Sequence, residues 1–267
     1  MGWWGKVFGG TFGFMLGGPL GGLIGAALGH NFDVGLRRMA EDQDAPEALP
    51  SDRERTQTAF FTATFAVMGR LAKTDGRVTP DEIRIAGTVM ERMGLTLAQR
   101  RMAQRLFNQG KAPDFPLDEV LAQLREVCRR RHSLLRMFLE IQFQTAFADG
   151  ALSAAERALL QHIAERLGFD RREVEAIEEM MRAEMRFRRG PDRGIGRMTL
   201  ADAYAVLGVG ADTEPAEIKK AYRRLMSQHH PDKLVSKGLP EEMIKMATEK
   251  TQEVKAAWEV VREARKL

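Results

Sequence analysis

The chain has 267 residues, 44% of them apolar and 29% charged, with 41 Lys and Arg against 37 Asp and Glu for a net charge of +4. That length suits two or three modules, and the ordinary apolar content lets most of the chain bury a core. One cysteine, Cys128, excludes an intrachain disulfide, and the arginine runs hold a single interleaved aromatic, Phe187, which argues against nucleic acid as a partner.

Residues Val7 to Gly29 carry no charge. At about 1.5 Å per residue such a stretch is long enough to cross a bilayer as a helix. Gly5, Gly9, Gly13, Gly17, Gly21, Gly25 and Gly29 recur at every fourth position and form one slowly drifting stripe. Small residues at that spacing let membrane helices approach closely, so a homodimer through the stripe is an expectation. Trp3 and Trp4 suit an interfacial anchor, and Pro19 is expected to kink the helix. Arg37 and Arg38 follow the segment against a lone Lys6 before it, which predicts a single pass with the C-terminal part in the cytoplasm. A cleaved signal peptide ending near Ala27-Leu28-Gly29 is the competing reading. The length of the apolar stretch and the side on which the charge lies both oppose it. Residues 1–35 are thus read as a membrane anchor and 36–55, with Asp42, Asp44, Pro46, Glu47 and Pro50, as an exposed linker.

Residues 56–186 contain a duplication with an offset of 74. Phe65 matches Leu139, Val67 matches Ile141, Asp75-Gly76 matches Asp149-Gly150, Glu82 matches Glu156, Val89 matches Ile163 and Gly94 matches Gly168. Each copy reads as an apolar helix, an Asp-Gly turn and a second helix closed by glycine. Thr79-Pro80-Asp81-Glu82 and Ser153-Ala154-Ala155-Glu156 are capping boxes. Further helices are expected over Leu97–Phe107, Leu117–Arg130 and Arg171–Phe187. Cys128 precedes Arg129, Arg130 and Arg131; it reads as a small buried hydrophobe rather than a reactive thiol.

A basic linker, 187–198, with Gly190-Pro191, Gly194 and Gly196, leads to a final unit at 199–267. Leu200 to Leu207 predicts a short helix stopped by Gly208. A second helix is predicted from Pro215 to His229, capped by Thr213 or Asp212. Its apolar face holds Ile218, Tyr222 and Leu225. Lys219, Lys220, Arg223 and Arg224 form basic rows on the other side, without nearby acidic partners, which favours an acidic docking partner. Pro231 ends the helix and displays His230 and Asp232 on a loop. A returning helix from about Glu241 to Arg265 is expected to pack Met246, Val254, Ala257, Trp258 and Val261 against the first. With 12 Lys and Arg and 11 Asp and Glu over residues 199–267, the basic helix reflects local segregation.

Three resemblances follow from these motifs. The paired Asp-Gly and Glu motifs over residues 56–186 are similar to the tellurite-resistance B (TerB) helical family, which implies Asp75, Glu82, Asp149 and Glu156 as candidate hard-cation ligands. Their own residue types explain them more simply as turns and caps, so no metal and no cofactor is expected. YAVLGV at Tyr204–Val209, IKKAYRRL at Ile218–Leu225, His230-Pro231-Asp232-Lys233 and EVKAAWEVV at Glu253–Val261 resemble the J domain of the DnaJ/Hsp40 family. That resemblance implies docking on an Hsp70 (DnaK-type) chaperone through His230, Pro231, Asp232, Lys219, Lys220, Arg223 and Arg224, with ATP hydrolysis belonging to the Hsp70 and no catalytic residue here. His229 departs from the usual Tyr, Thr251 from the usual Phe, and the loop Leu234 to Pro240 is longer than a minimal one. Gly/Phe-rich and zinc-type CxxC segments are lacking. The order of anchor, bundle and J domain, with the N-terminal WGK and with His30, Phe32 and Asp33, resembles the DjlA group of membrane-anchored co-chaperones. This implies an all-α protein of the bacterial inner membrane. A metal- or partner-sensing bundle, with the J domain as its effector, is the alternative.

Overall fold

The computed structural model describes residues 17–28, 51–74, 87, 89–91, 93–147, 152–189 and 198–267, and among these the chain is all-α with no strand. In chain order the helices are α1 (Gly18–Leu28), α2 (Asp52–Ala72), α3 (Leu97–Gly110), α4 (Leu117–Val127), α5 (His132–Ala146), α6 (Ala154–Leu167), α7 (Arg171–Arg189), α8 (Leu200–Leu207), α9 (Pro215–His229), α10 (Pro231–Ser236) and α11 (Ile244–Arg265). A 3₁₀ turn, Glu241–Met243, leads into α11.

Helix α2 is the axis of the bundle and is buried on nearly every side. Its interior threonines pair with their own helix: Thr64 Oγ1 donates to the Phe60 carbonyl at 2.7 Å and Thr58 Oγ1 to that of Glu54 at 2.9 Å. Helices α3, α4 and α5 surround it. The α2–α3 crossing is close because each helix offers a glycine to the other. A Cβ on Gly69 would lie 1.9 Å from the Phe107 carbonyl oxygen, and one on Gly110 1.7 Å from that of Ala66.

The duplication is visible wherever both copies are described. Phe65 and Val67 on α2, and Leu139 and Ile141 on α5, are buried, as are Val89 and Ile163. Gly94 and Gly168 both adopt left-handed backbone, φ +64° and +92°, which closes their helices without Cβ strain. Asp75, Gly76, Thr79–Glu82, Asp149 and Gly150 lie outside the described residues.

At the N-terminus α1 spans eleven residues, and Leu20, Ile24 and Ala27 bury against α3 and α4. Pro19 sits in its first turn, where a missing N–H removes no helical hydrogen bond, so the expected kink is not needed there. The rest of the expected span, residues 7–16 and 29, lies outside the described residues. Among the described residues no helix is long and apolar enough to cross a membrane. Cys128 is buried, and burial, opposed by Arg131, pushes its thiol up to about 12.

Several local expectations are corrected. Helix α7 continues to Arg189, into the stretch read as linker, and its Ala183 packs into the C-terminal core. Helix α9 has Glu214 at its N-cap without a side-chain bond, while Thr213 Oγ1 accepts from the Gly210 amide at 3.0 Å. Met246 does not face α9; it joins Leu234, Leu239 and Met243 in the core of the bundle. Ala203, Val206, Leu207, Ile218, Leu225, Val254, Ala257 and Val261 form a separate core beyond it, with Tyr222 stacked on Trp258 at 4.8 Å.

The C-terminal unit is therefore seated on the bundle through the segment joining α9 to α11. Gln57 Nε2 donates to the Leu239 carbonyl at 3.4 Å, Gln99 Nε2 to Glu242 at 2.6 Å and Lys237 Nζ to Ser133 Oγ at 2.7 Å. Gly238, at φ +102°, lies so near Thr56 that a Cβ would come within 2.8 Å of its methyl carbon. Two buried pairs complete the seat. His229 on α9 meets Glu140 on α5, and Lys250 on α11 meets Glu184 on α7. Arg136 Nε also donates to Glu140, at 2.9 Å. Burial works against the Glu140 charge, but His229, Lys250 and Arg136 outweigh it and hold its carboxyl well below the usual range. For Glu184 burial wins over Lys250 and, with Glu253 adding a like charge, pushes its carboxyl up to about 8.

Two outcomes follow. Gly69→Ala and Gly110→Ala should each cost about 3 kcal/mol in chemical denaturation, because backbone must move to admit the methyl group. The two glutamates oppose each other in pH dependence. Glu184 has a raised folded pKa, so its contribution is present below the ordinary carboxylate value of 4.5 and is lost as pH rises toward about 8. Glu140, with a depressed one, contributes above that ordinary value and loses its contribution as pH falls. Thermal melting against pH should show a shallower decline from pH 4.5 to 8 in Glu184→Gln, and a shallower acid-side loss in Glu140→Gln.

Candidate Hsp70-docking site

Helix α9 starts where Pro215 occupies its first position and Pro231 sets its end. Its three-and-four spacing turns Ile218, Ala221 and Leu225 inward. Lys219, Lys220, Arg223 and Arg224 are consequently all exposed. The sequence expectation that they lack acidic neighbours holds less well for Lys220, whose Nζ lies 3.3 Å from Glu217. Such an exposed pair is worth little in water and leaves the row available to a partner.

His230 stands between two helices, with φ −58° and ψ 122°, capping α9 at one side and α10 at the other. The expected loop is thus a sharp turn into a six-residue helix. Pro231 is the first residue of α10, and the Leu234 amide donates to the His230 carbonyl at 3.0 Å. His230 and Asp232 are exposed and Pro231 is half-buried. Asp232 has no ion pair among the described residues, which leaves an acceptor-only group free for a guanidinium or ammonium. Lys233 Nζ folds back to Ser227 Oγ at 2.8 Å. The turn and the basic row therefore form one continuous exposed face.

Behind that face the neighbouring histidine behaves in the opposite way. His229 is buried, with Nδ1 3.0 Å from the Leu225 carbonyl and Nε2 at 2.8 Å and 3.1 Å from the two Glu140 oxygens. Each ring nitrogen thus lies within hydrogen-bond distance of an oxygen, one on its own helix and the other on the bundle. The sequence by itself marks His229 only as a departure from the usual Tyr. The missed signal was the pairing of that departure with Glu140, a carboxylate on an otherwise apolar turn of α5.

Of the sequence-derived cation candidates, Asp75, Glu82 and Asp149 lie outside the described residues. Glu156, the one in the described residues, uses its carboxylate as a cap, accepting from the Ser153 amide at 2.9 Å while the Glu156 amide donates to Ser153 Oγ at 3.1 Å. Among the described residues no three His, Cys, Asp or Glu side chains gather as a metal site.

Three family models match the chain: the co-chaperone DjlA transmembrane domain over residues 1–39, the tellurite resistance protein TerB over 61–179 and the DnaJ domain over 202–266. Among curated relatives, the co-chaperone protein DjlA of Coxiella burnetii is 48% identical, with both chains covered in full. That of Photobacterium profundum is 46% identical over 97% of this chain and 98% of its own, and that of Escherichia coli K12 is 44% identical over 98% of each. No solved structure matches. With identity of this order along the whole chain, and a model for each of its three parts, the chain belongs to the DjlA family of membrane-anchored J-domain co-chaperones.

Proposed function

We propose that the chain stimulates the ATPase of a DnaK-type Hsp70 by docking α9 and the His230-Pro231-Asp232 turn on it. The observation that carries this reading is the exposure of that turn at the end of a helix whose Lys219, Lys220, Arg223 and Arg224 all face solvent. The basic row supplies long-range attraction to an acidic surface and fixes orientation. Asp232, held in the first turn of α10, then offers its carboxylate to a cation on the Hsp70. Hydrolysis belongs to the Hsp70; this chain contributes binding energy that favours the hydrolysing state over the resting one. No side chain here acts as nucleophile or general base.

We further propose that the anchor crosses a bacterial inner membrane once, with Leu20, Ile24 and Ala27 exchanging their packing on the bundle for lipid, and leaves the bundle and J domain in the cytoplasm, where the Hsp70 and its ATP are found. Arg37 and Arg38, against the lone Lys6, support that orientation. The glycine stripe supports pairing of two anchors.

In a reconstituted assay with the full-length chain and a DnaK-type Hsp70, His230→Gln should abolish stimulation without changing the melting temperature. Arg223→Glu with Arg224→Glu should raise the concentration needed for half-maximal stimulation by about tenfold or more and steepen its salt dependence less than the parent's. Equal stimulation by parent and His230→Gln protein would remove the reading.

A further inference from the structure

Three departures of this sequence from a common J-domain pattern meet at one place. His229 replaces the usual aromatic and reaches Glu140 across to the bundle. The lengthened segment after Asp232 buries Leu234, Leu239 and Met243 in the bundle core. Thr251, where a packed aromatic is common, lies beside Lys250, whose ammonium meets Glu184 on α7. Here His229 and the lengthened segment are completed by the bundle, while Thr251 Oγ1 donates to the Thr248 carbonyl of its own helix at 2.8 Å and its neighbour Lys250 makes the contact with α7.

We propose that the bundle is the positioning element of the Hsp70-contacting turn, with Glu140 as the residue that holds it. Glu140 fixes His229, the residue immediately before His230, and the peptide joining them sets the direction in which α9 hands over to α10. The side chain is only 5% exposed, so its carboxylate faces His229 and Arg136 and has little water to compete with them. It touches no partner surface: the basic row and Asp232 lie on the opposite, solvent side. Glu140 therefore acts through His229, and Glu184 acts through Lys250 in the same way on the returning helix. The inference rests on the Hsp70 reading above and assigns the bundle a part in that same activity.

Positioning and affinity separate in the assay. The basic row governs how much of the chain is bound to Hsp70; the orientation of the turn governs how much hydrolysis each bound chain elicits. The charged groups facing Glu140 are Arg136 on α5, His229 on α9 and Lys250 on α11, with Glu184 on α7 beyond them. The experiment uses the full-length chain in lipid nanodiscs with a DnaK-type Hsp70 in single-turnover ATP hydrolysis, titrated to saturation, with melting temperatures recorded alongside. Glu140→Gln should lower the maximal rate by about threefold or more while the half-saturating concentration stays within about twofold. Glu140→Asp should recover part of the loss. Should Glu140→Gln fold poorly, Glu140→Leu combined with His229→Phe replaces the pair by apolar packing and should recover both the melting temperature and the maximal rate. A Glu140→Gln protein that reaches the parent's maximal rate overturns the proposal, as does one whose loss lies wholly in the half-saturating concentration. A double variant that melts like the parent but stays below its maximal rate also overturns it. If the parent itself fails to stimulate, or His230→Gln stimulates equally, it is the Hsp70 reading that fails.

Discussion

Burying ionisable side chains between two helical units is costly unless each one meets a partner of opposite type at hydrogen-bond distance. His229 with Glu140, and Lys250 with Glu184, meet only when the C-terminal unit sits on the bundle in one register, whereas Arg136 reaches Glu140 within α5. Apolar contact through Leu234, Leu239 and Met243 supplies the non-directional part of the adhesion, at about 25 cal/mol per Å² removed from water. The buried pairs supply the direction. A slide by one helical turn would part Glu140 from His229 and strand Nε2 of that ring, while Nδ1 keeps the Leu225 carbonyl of its own helix.

That constraint changes how the parts of the chain relate. The family match covers the bundle and the J domain as two models, yet α7 contributes Ala183 to the core of the second, and the segment around α10 contributes to the core of the first. Arg186 Nε reaches Asp202 at 2.8 Å across the same junction. The two units are interlocked by exchange of short segments. The exposed row of Lys219, Lys220, Arg223 and Arg224, with His230 and Asp232, stays outside this exchange, so packing on the bundle leaves it open. An alternative division of labour, in which the bundle senses a metal, gains no support from Glu156, whose carboxylate is committed to a cap.

The elements that were legible in the sequence are those punctuated by local chemistry. Helices α8 and α9 run over the expected residues because Gly208 takes left-handed backbone and Pro215 and Pro231 bracket α9. The duplication was legible because a repeated core demands repeated apolar positions, and Gly94 and Gly168 close both copies alike. The exposure of Lys219, Lys220, Arg223 and Arg224 was legible because it follows from the same periodicity. What escaped is non-local. His229 and Glu140 are 89 positions apart, so each is visible locally as an oddity while their pairing is set only by the fold. Met246 lies on the expected face of α11 by spacing alone; only the presence of the bundle decides that this face packs outward rather than on α9. The turn at His230 was read as a loop because Pro231 ends a helix, while the same residue is also well suited to begin one.

Native-state hydrogen exchange on the full-length chain, followed amide by amide from His229 to Lys250, tests the interlock most directly. If the segment is part of the bundle, the amides of Leu234, Leu239 and Met246 should open with the same free energy as those at the centre of α2. Exchange of those amides at nearly unprotected rates, while the centre of α2 remains protected, would contradict it.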